Sequence, residues 1–144
     1  AGNHKIADVL SWQGADVITS DIATYNKKHA FIFDFLEEHE GLECDIITNP
    51  PFGHGNKNAA AFARLSLQRC TGWVALLMTA KFDSGKTRCD LFADNPRFAF
   101  KIVLLDRIMW FPGGNSAGME DHAWYVWGPL FQPPPRLYYE GKQT

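Results

Sequence analysis

Apolar residues recur at helical spacing in two segments of the chain. Ile6, Val9 and Leu10 lie on one side of a helix that begins near Lys5, because residues three and four apart share a helix face. A second helix is predicted from 59 to 70, and Gly72 is a suitable residue to end it. The apolar face of this second helix consists of Ala59, Phe62, Ala63, Leu67 and Cys70.

Short apolar runs predict β-strands at 17–19, 31–33, 44–48, 73–78, 101–105 and 122–127. The run 73–78 is the longest and is bounded by glycine, which is typical of a central strand covered on both faces. The last two runs flank a glycine-rich turn at 112–118. This arrangement predicts an antiparallel hairpin at the end of the sheet.

Alternating strands and helices, with a further short helix predicted over 84–94, favour a three-layer α/β sheet that is mostly parallel. We expect this domain to span 1–128 and to be followed by an extended, proline-rich tail at 129–144. Such sheets bind ligands at the carboxyl ends of their strands. Asp21, Asp34 and Asn49 follow predicted strands, so we expect them at one rim.

The tetrapeptide Asn49-Pro50-Pro51-Phe52 follows the strand 44–48 and forces the chain out of the sheet. An exocyclic aromatic amine such as adenine N6 is a poor nucleophile, because its lone pair is delocalised into the ring. The side-chain oxygen of Asn49 and a backbone carbonyl of the proline segment would accept hydrogen bonds from its N–H groups. Phe52 would stack on the base. The structural alternative is an Asx-Pro turn beside a core phenylalanine.

The segment 46–52, Ile-Ile-Thr-Asn-Pro-Pro-Phe, resembles motif IV of the class I methyltransferases that modify exocyclic or amide nitrogens. The phenylalanine is most typical of the N6-adenine DNA methyltransferases. This resemblance implies that Asn49, Pro50, Pro51 and Phe52 are the catalytic residues, with Asn49 and the carbonyl of Pro50 holding the amine.

Segments that resemble the cofactor motifs of this family precede the tetrapeptide. Ala1-Gly2-Asn3 resembles the end of motif I, Asp21 resembles the motif II acid, and 34–36 resembles motif III. The resemblance therefore implies an S-adenosyl-L-methionine site formed by Ala1, Gly2, Asn3, Asp21, Ile22, Asp34, Phe35 and Asn49. The family's first strand and the start of motif I would precede Ala1, so we expect native sequence upstream.

The resemblance also implies a Rossmann-like methyltransferase fold, direct in-line methyl transfer and no metal. The turn 112–118 lies where family members place substrate contacts. Trp110 or Phe111 would sandwich a flipped-out base against Phe52, or else belong to the core. Four basic residues would meet phosphates, or else be solvated surface charges: Lys81, Lys86, Arg88 and Arg107.

Composition limits which molecules the protein can bind and in which cellular compartment it is expected. The net charge is −2, so contact with a nucleic acid must be local or partly supplied by a partner chain that adds specificity. The three cysteines are far apart and the five histidines lack ligand spacing, which favours free thiols in a cytoplasmic protein without metal. No apolar run approaches the roughly 20 residues of a membrane helix.

The predicted function is methyl transfer from S-adenosyl-L-methionine to the N6 amino group of adenine in DNA. A protein glutamine or an RNA base is the first alternative, although protein-glutamine enzymes usually carry tyrosine at the position of Phe52. A non-catalytic, methyltransferase-like binding subunit is the second alternative.

Overall fold

A computed structural model describes residues 1–37, 41, 43–109, 120–130 and 133–141. Within these ranges the chain forms a mixed five-stranded sheet, a separate two-stranded parallel sheet and a few helices. The helices and strands are α1 (Lys5–Trp12), β1 (Ser20–Asp21), β2 (Phe31–Ile32), β3 (Ile46–Thr48), α2 (Lys57–Arg69), β4 (Val74–Thr79), β5 (Phe98–Leu104), β6 (His122–Trp127) and β7 (Arg136–Glu140).

Short 3₁₀ helices connect several of these elements, at His54–Asn56, Phe82–Ser84 and Lys86–Leu91. The last two take the place of the single short helix predicted over 84–94. Both predicted α-helices are confirmed as α1 and α2.

The larger sheet has the strand order β3-β4-β6-β5-β7. β3 runs parallel to β4, and β5 runs parallel to β7. β6 is antiparallel to both of its neighbours, β4 and β5. The antiparallel pairing predicted for the last two runs is therefore present, but β7 continues the sheet beyond β5.

The prediction of one three-layer, mostly parallel, Rossmann-like sheet is wrong. β1 and β2 pair with each other in a sheet of their own, and the antiparallel β6 makes the larger sheet mixed. The described part of the chain also has few helices to cover the two faces. Apolar runs predict that strands exist, but the pairing of strands depends on contacts distant in sequence.

The N-terminal elements contribute little to the core. α1 contains no buried residue, and Trp12 is 83% exposed. The strand predicted at 17–19 forms instead at Ser20–Asp21, and Ile18 is 70% exposed. The prediction of a short buried strand is therefore wrong in this segment.

The core lies around β4 and β6. β4 is almost wholly buried between β3 and β6, which confirms the prediction of a central strand over 73–78. An aromatic cluster packs beside it, and the indole N–H of Trp127 donates to the carbonyl of Leu91 at 2.7 Å. The rings of the cluster are Phe82, Phe92, Phe98, Tyr125 and Trp127.

Candidate active site

The tetrapeptide Asn49–Phe52 connects β3 to the start of α2. β3 ends at Thr48, which pairs with Leu76 of β4, and the following prolines cannot donate to the ladder. The carbonyl of Phe52 accepts from the backbone N–H groups of Asn58 and Ala59 at 3.2 and 3.4 Å. Because the first N–H groups of a helix lack partners within it, this contact fixes the tetrapeptide on α2.

The side-chain oxygen of Asn49 has an unusual environment. Oδ1 is buried, and it has no hydrogen-bond partner among the described residues. Leaving a buried acceptor unpaired costs about 1–3 kcal/mol. A donor at this position, whether an N–H, an O–H or a water, would recover that free energy.

Phe52 follows Asn49 by three residues in the same tetrapeptide. Its ring is half-buried, packs against the core and stacks on the ring of His122, with centroids 5.9 Å apart and planes inclined by 29°. His122 is the first residue of β6 and pairs with Thr79 at the end of β4. The ends of β3 and β4 and the start of β6 thus meet around the tetrapeptide.

A polar cluster secures the carboxyl end of β4. The N–H of Ala80 donates to the carbonyl of Asp121 at 2.8 Å. The carbonyl of Ala80 lies 2.9 Å from Lys101 Nζ and 3.0 Å from the hydroxyl of Tyr125. Lys101 also pairs with Asp83 at 2.8 Å. Both the backbone N–H and the carbonyl of Ala80 therefore have hydrogen-bond partners.

Burial, and next the carboxylate of Asp83, raise the pKa of Tyr125 above its ordinary range. Tyr125 therefore stays a neutral hydrogen-bond donor at physiological pH. The sequence pattern did not single out this cluster. A lysine and a tyrosine inside two apolar strands, at Lys101 and Tyr125, were the only signal in the sequence that these strands carry buried polar contacts.

The predicted motif I and motif II residues lie together at the end of β1. Asp21 Oδ2 accepts from the N–H of Gly2 at 2.7 Å. Oδ1 accepts from the N–H of Ile22 at 2.8 Å. Partial burial would raise the pKa of Asp21, whereas hydrogen bonds from the backbone N–H groups of Gly2 and Ala23 lower it.

The predicted motif III residues pack on α2. The ring of Phe35 stacks on that of Phe62 with centroids 4.5 Å apart. Arg69 donates to the carbonyl of Phe35 at 2.6 Å, and its guanidinium lies 5.3 Å from the Phe35 ring centroid. Asp34 Oδ1 accepts from the N–H of Leu36 at 2.9 Å. This segment anchors the smaller sheet to α2.

The predicted site residues thus form separate groups. Gly2 and Asp21 lie together, as do Asn49 and Phe52, but Asp21 and Asn49 share no hydrogen bond in the described part of the chain. Their strands belong to different sheets, so the single rim expected for the strand ends is not formed by one sheet. Trp110 and Phe111 lie outside the described residues, as does the turn 112–118.

The four basic residues predicted to meet phosphates differ in their environments. Arg88 donates to the carbonyl of Phe82 at 2.5 Å and lies over the Phe82 ring. Arg107 pairs with Asp121 at 3.0 Å. Lys81 and Lys86 are exposed. Lys81 lies two residues after the end of β4 at Thr79. The exposure of Lys81 and Lys86 makes these two lysines the better placed candidates.

Neither a metal site nor a membrane span is evident in the described ranges. No three His, Cys, Asp or Glu side chains there converge as ligands would. Among the same residues, the helices are too short or too polar to cross a bilayer. No protein-family model matches the chain, and neither curated proteins nor solved structures provide a match.

Proposed function

We propose that this protein is an S-adenosyl-L-methionine-dependent methyltransferase that methylates the N6 amino group of adenine in DNA. The observation that carries the proposal is the buried Oδ1 of Asn49, which lacks a partner among the described residues. Two prolines and a half-buried phenylalanine follow it. This arrangement supplies an acceptor for an amine and an aromatic surface for a planar base.

The roles of the tetrapeptide follow from its chemistry. Asn49 Oδ1 accepts one N–H of the target amine, and the backbone carbonyl of Pro50 accepts the other. The backbone carbonyl of Pro50 is held before the substrate arrives, because Pro50 is buried and Phe52 is tied to the first turn of α2. The nitrogen lone pair is then less delocalised into the ring and better able to form a bond to carbon.

Residues at the end of β1 fit the second substrate. S-adenosyl-L-methionine, when bound, supplies a methyl group on a sulfonium sulfur. A Cβ at Gly2 would meet no atom within 4 Å, so the backbone is open on that side. Asp21 Oδ1 accepts from the N–H groups of Ile22 and Ala23 at 2.8 and 3.5 Å, and a ribose hydroxyl would replace the longer of these two contacts. Ile22 is 63% exposed and offers an apolar surface for the cofactor's adenine.

Two further predicted cofactor residues already make contacts within the fold. Asp34 and Phe35 are engaged by the backbone of Leu36 and by α2. Their role, and those of Ala1 and Asn3, stay predictions. The cytoplasmic location and a partner chain that adds sequence specificity belong to the same proposal.

One observation favours a second candidate, a non-catalytic methyltransferase-like binding subunit. The predicted cofactor elements β1 and β2 form a sheet separate from the one that carries Asn49. A protein that binds nucleic acid through Phe52 without transferring methyl groups would tolerate this separation.

Two measurements distinguish these candidates. Calorimetric titration with S-adenosyl-L-homocysteine should give saturable binding, and Asp21→Ala should weaken it. Incubation with methyl-labelled S-adenosyl-L-methionine should label DNA, and digestion of that DNA should yield N6-methyladenine. Label in RNA or in protein glutamine would instead show that RNA or protein is the methyl acceptor. An absence of both binding and label would favour the non-catalytic subunit.

A further inference from the structure

We propose that His122 is a positioning residue that holds the ring of Phe52 for stacking against the target base. The proposal rests on the proposed function. The two rings are stacked at 5.9 Å between centroids. His122 is only 3% exposed, whereas Phe52 is half-buried and keeps part of its surface accessible.

The spacing of the two rings decides on which side the base stacks. A base inserted between two rings needs about 7 Å, which is two van der Waals separations of about 3.5 Å. The distance of 5.9 Å between the Phe52 and His122 centroids leaves no room for it. His122 therefore contacts one face of Phe52, and the base approaches from the other side of that ring.

The backbone of His122 is held more firmly than that of Phe52. β6 has strand partners on both sides, β4 and β5, and His122 pairs with Thr79. The carbonyl of the preceding residue, Asp121, accepts from the N–H of Ala80 at 2.8 Å. Phe52 lies on a connection between β3 and α2. The stack thus ties a connecting segment to the centre of the larger sheet.

Loss of the His122 ring should affect base docking rather than the chemical step. An aromatic pair contributes about 0.5–1.5 kcal/mol beyond burial, so His122→Leu should raise KM for DNA about 3- to 10-fold. The value of kcat at saturating DNA and the affinity for S-adenosyl-L-homocysteine should stay within about twofold, since neither depends on that ring pair. His122→Phe keeps a ring and should restore KM.

Phe100→Leu is a matched control for general destabilisation. Phe100 also pairs with aromatic rings, Trp73 and Tyr138, at 6.4 and 5.7 Å. The Tyr138 contact joins β5 to β7, the Trp73 contact joins β5 to the residue before β4, and neither includes Phe52. The Phe100→Leu variant should lose stability while KM for DNA stays unchanged.

A double-mutant cycle tests whether His122 acts through Phe52. If it does, Phe52→Ala with His122→Leu should be no worse in KM than Phe52→Ala alone. Additive effects, or an unchanged KM in His122→Leu, would overturn the positioning role while the proposed function stands.

A ¹⁹F NMR measurement on protein with 4-fluorophenylalanine at position 52 gives a readout without turnover. His122→Leu should shift or broaden the resonance, and His122→Phe should restore it to near its original position. An unchanged resonance would overturn the ring contact itself. A shifted resonance in a protein that transfers no methyl group would instead contradict the proposed function and the base-stacking role that rests on it.

Discussion

At the scale of single residues, several polar side chains have hydrogen-bond partners within the fold, and Asn49 Oδ1 is among the buried atoms that lack one in the described residues. Tyr125 and Lys101 both reach the carbonyl of Ala80, and Arg97 donates to several backbone carbonyls. Asn49 Oδ1 has no such contact within the described ranges. A buried acceptor without a partner lowers the stability of the folded protein. A bound ligand that supplies the donor would remove this cost.

Tyr125 should make stability depend on alkaline pH. Its pKa is raised above the ordinary value of 10.0 in the folded protein, so the unfolded chain loses this proton at a lower pH. The contribution of Tyr125 is therefore complete below about pH 10 and is lost as the pH rises further. At neutral pH, Tyr125→Phe should lower the free energy of unfolding by about 1 kcal/mol, because a hydrogen-bond donor is removed.

Denaturant titrations of both proteins from neutral pH to about pH 11 measure this effect. The stability difference between the original protein and Tyr125→Phe should shrink as the pH rises through the upper part of that range. A difference that stays constant would show that the folded hydroxyl ionises as readily as the unfolded one.

At the scale of elements, Arg97 connects three parts of the fold. Its guanidinium donates to the carbonyls of Leu67 and Cys70 at the end of α2, Gly72 before β4, and Gly128 after β6. The last carbonyls of a helix lack partners within it and carry partial negative charge. A single cation therefore caps α2 and ties it to the sheet.

Arg97→Met should lower the free energy of unfolding by about 2–4 kcal/mol, since charged hydrogen bonds to partly buried carbonyls are lost together. Arg97→Lys keeps the charge but has fewer donors in a fixed arrangement, and should recover part of the loss. Urea denaturation measures both variants. Equal stability of Arg97→Met and the original protein would contradict the capping role.

The sequence predicts helices and strands that have a regular spacing of apolar residues. It does not predict which strands pair or which distant residues make contact. α2 and β4 follow from the spacing of apolar residues within a dozen positions. β7 carries exposed side chains throughout, so it has no buried face for a pattern to indicate. The Tyr125–Asp83 contact joins residues 42 positions apart, and nothing local encodes it. The sequence motif predicts the role of Asn49, but only the three-dimensional structure shows that its side-chain oxygen lacks a partner among the described residues.

At the scale of the whole molecule, two parts differ in packing. The larger sheet, α2 and the segment 82–92 contain most of the buried core residues, whereas α1, β1 and β2 contain none. Arg69 and Phe62 of α2 contact the segment after β2, which fastens the smaller sheet to the larger. Local stability follows burial, so the described residues 1–37 should open without global unfolding.

Hydrogen exchange tests this difference. Amides in β4 and β6 should exchange slowest, and those in 1–37 fastest. Arg69→Ala should speed exchange at Leu36 and Glu37 by about tenfold, because the anchor to α2 is lost. Arg64→Ala is the matched control, since Arg64 lies on the same helix but contacts Asp90 and Thr87. Equal effects of the two variants at Leu36 would contradict the anchoring role.

The most direct test of the proposed chemistry is to measure methyl transfer and stability together in Asn49→Ala. Loss of a preorganised acceptor should lower kcat by about 10²- to 10³-fold, and this loss should exceed any change in the affinity for S-adenosyl-L-homocysteine, because the other predicted cofactor residues remain. The free energy of unfolding should stay level or rise by up to about 1 kcal/mol, because an unpaired buried acceptor is removed. Asn26→Ala, at an exposed position, should change none of these values. Transfer by Asn49→Ala at the original rate would contradict the role assigned to this side chain.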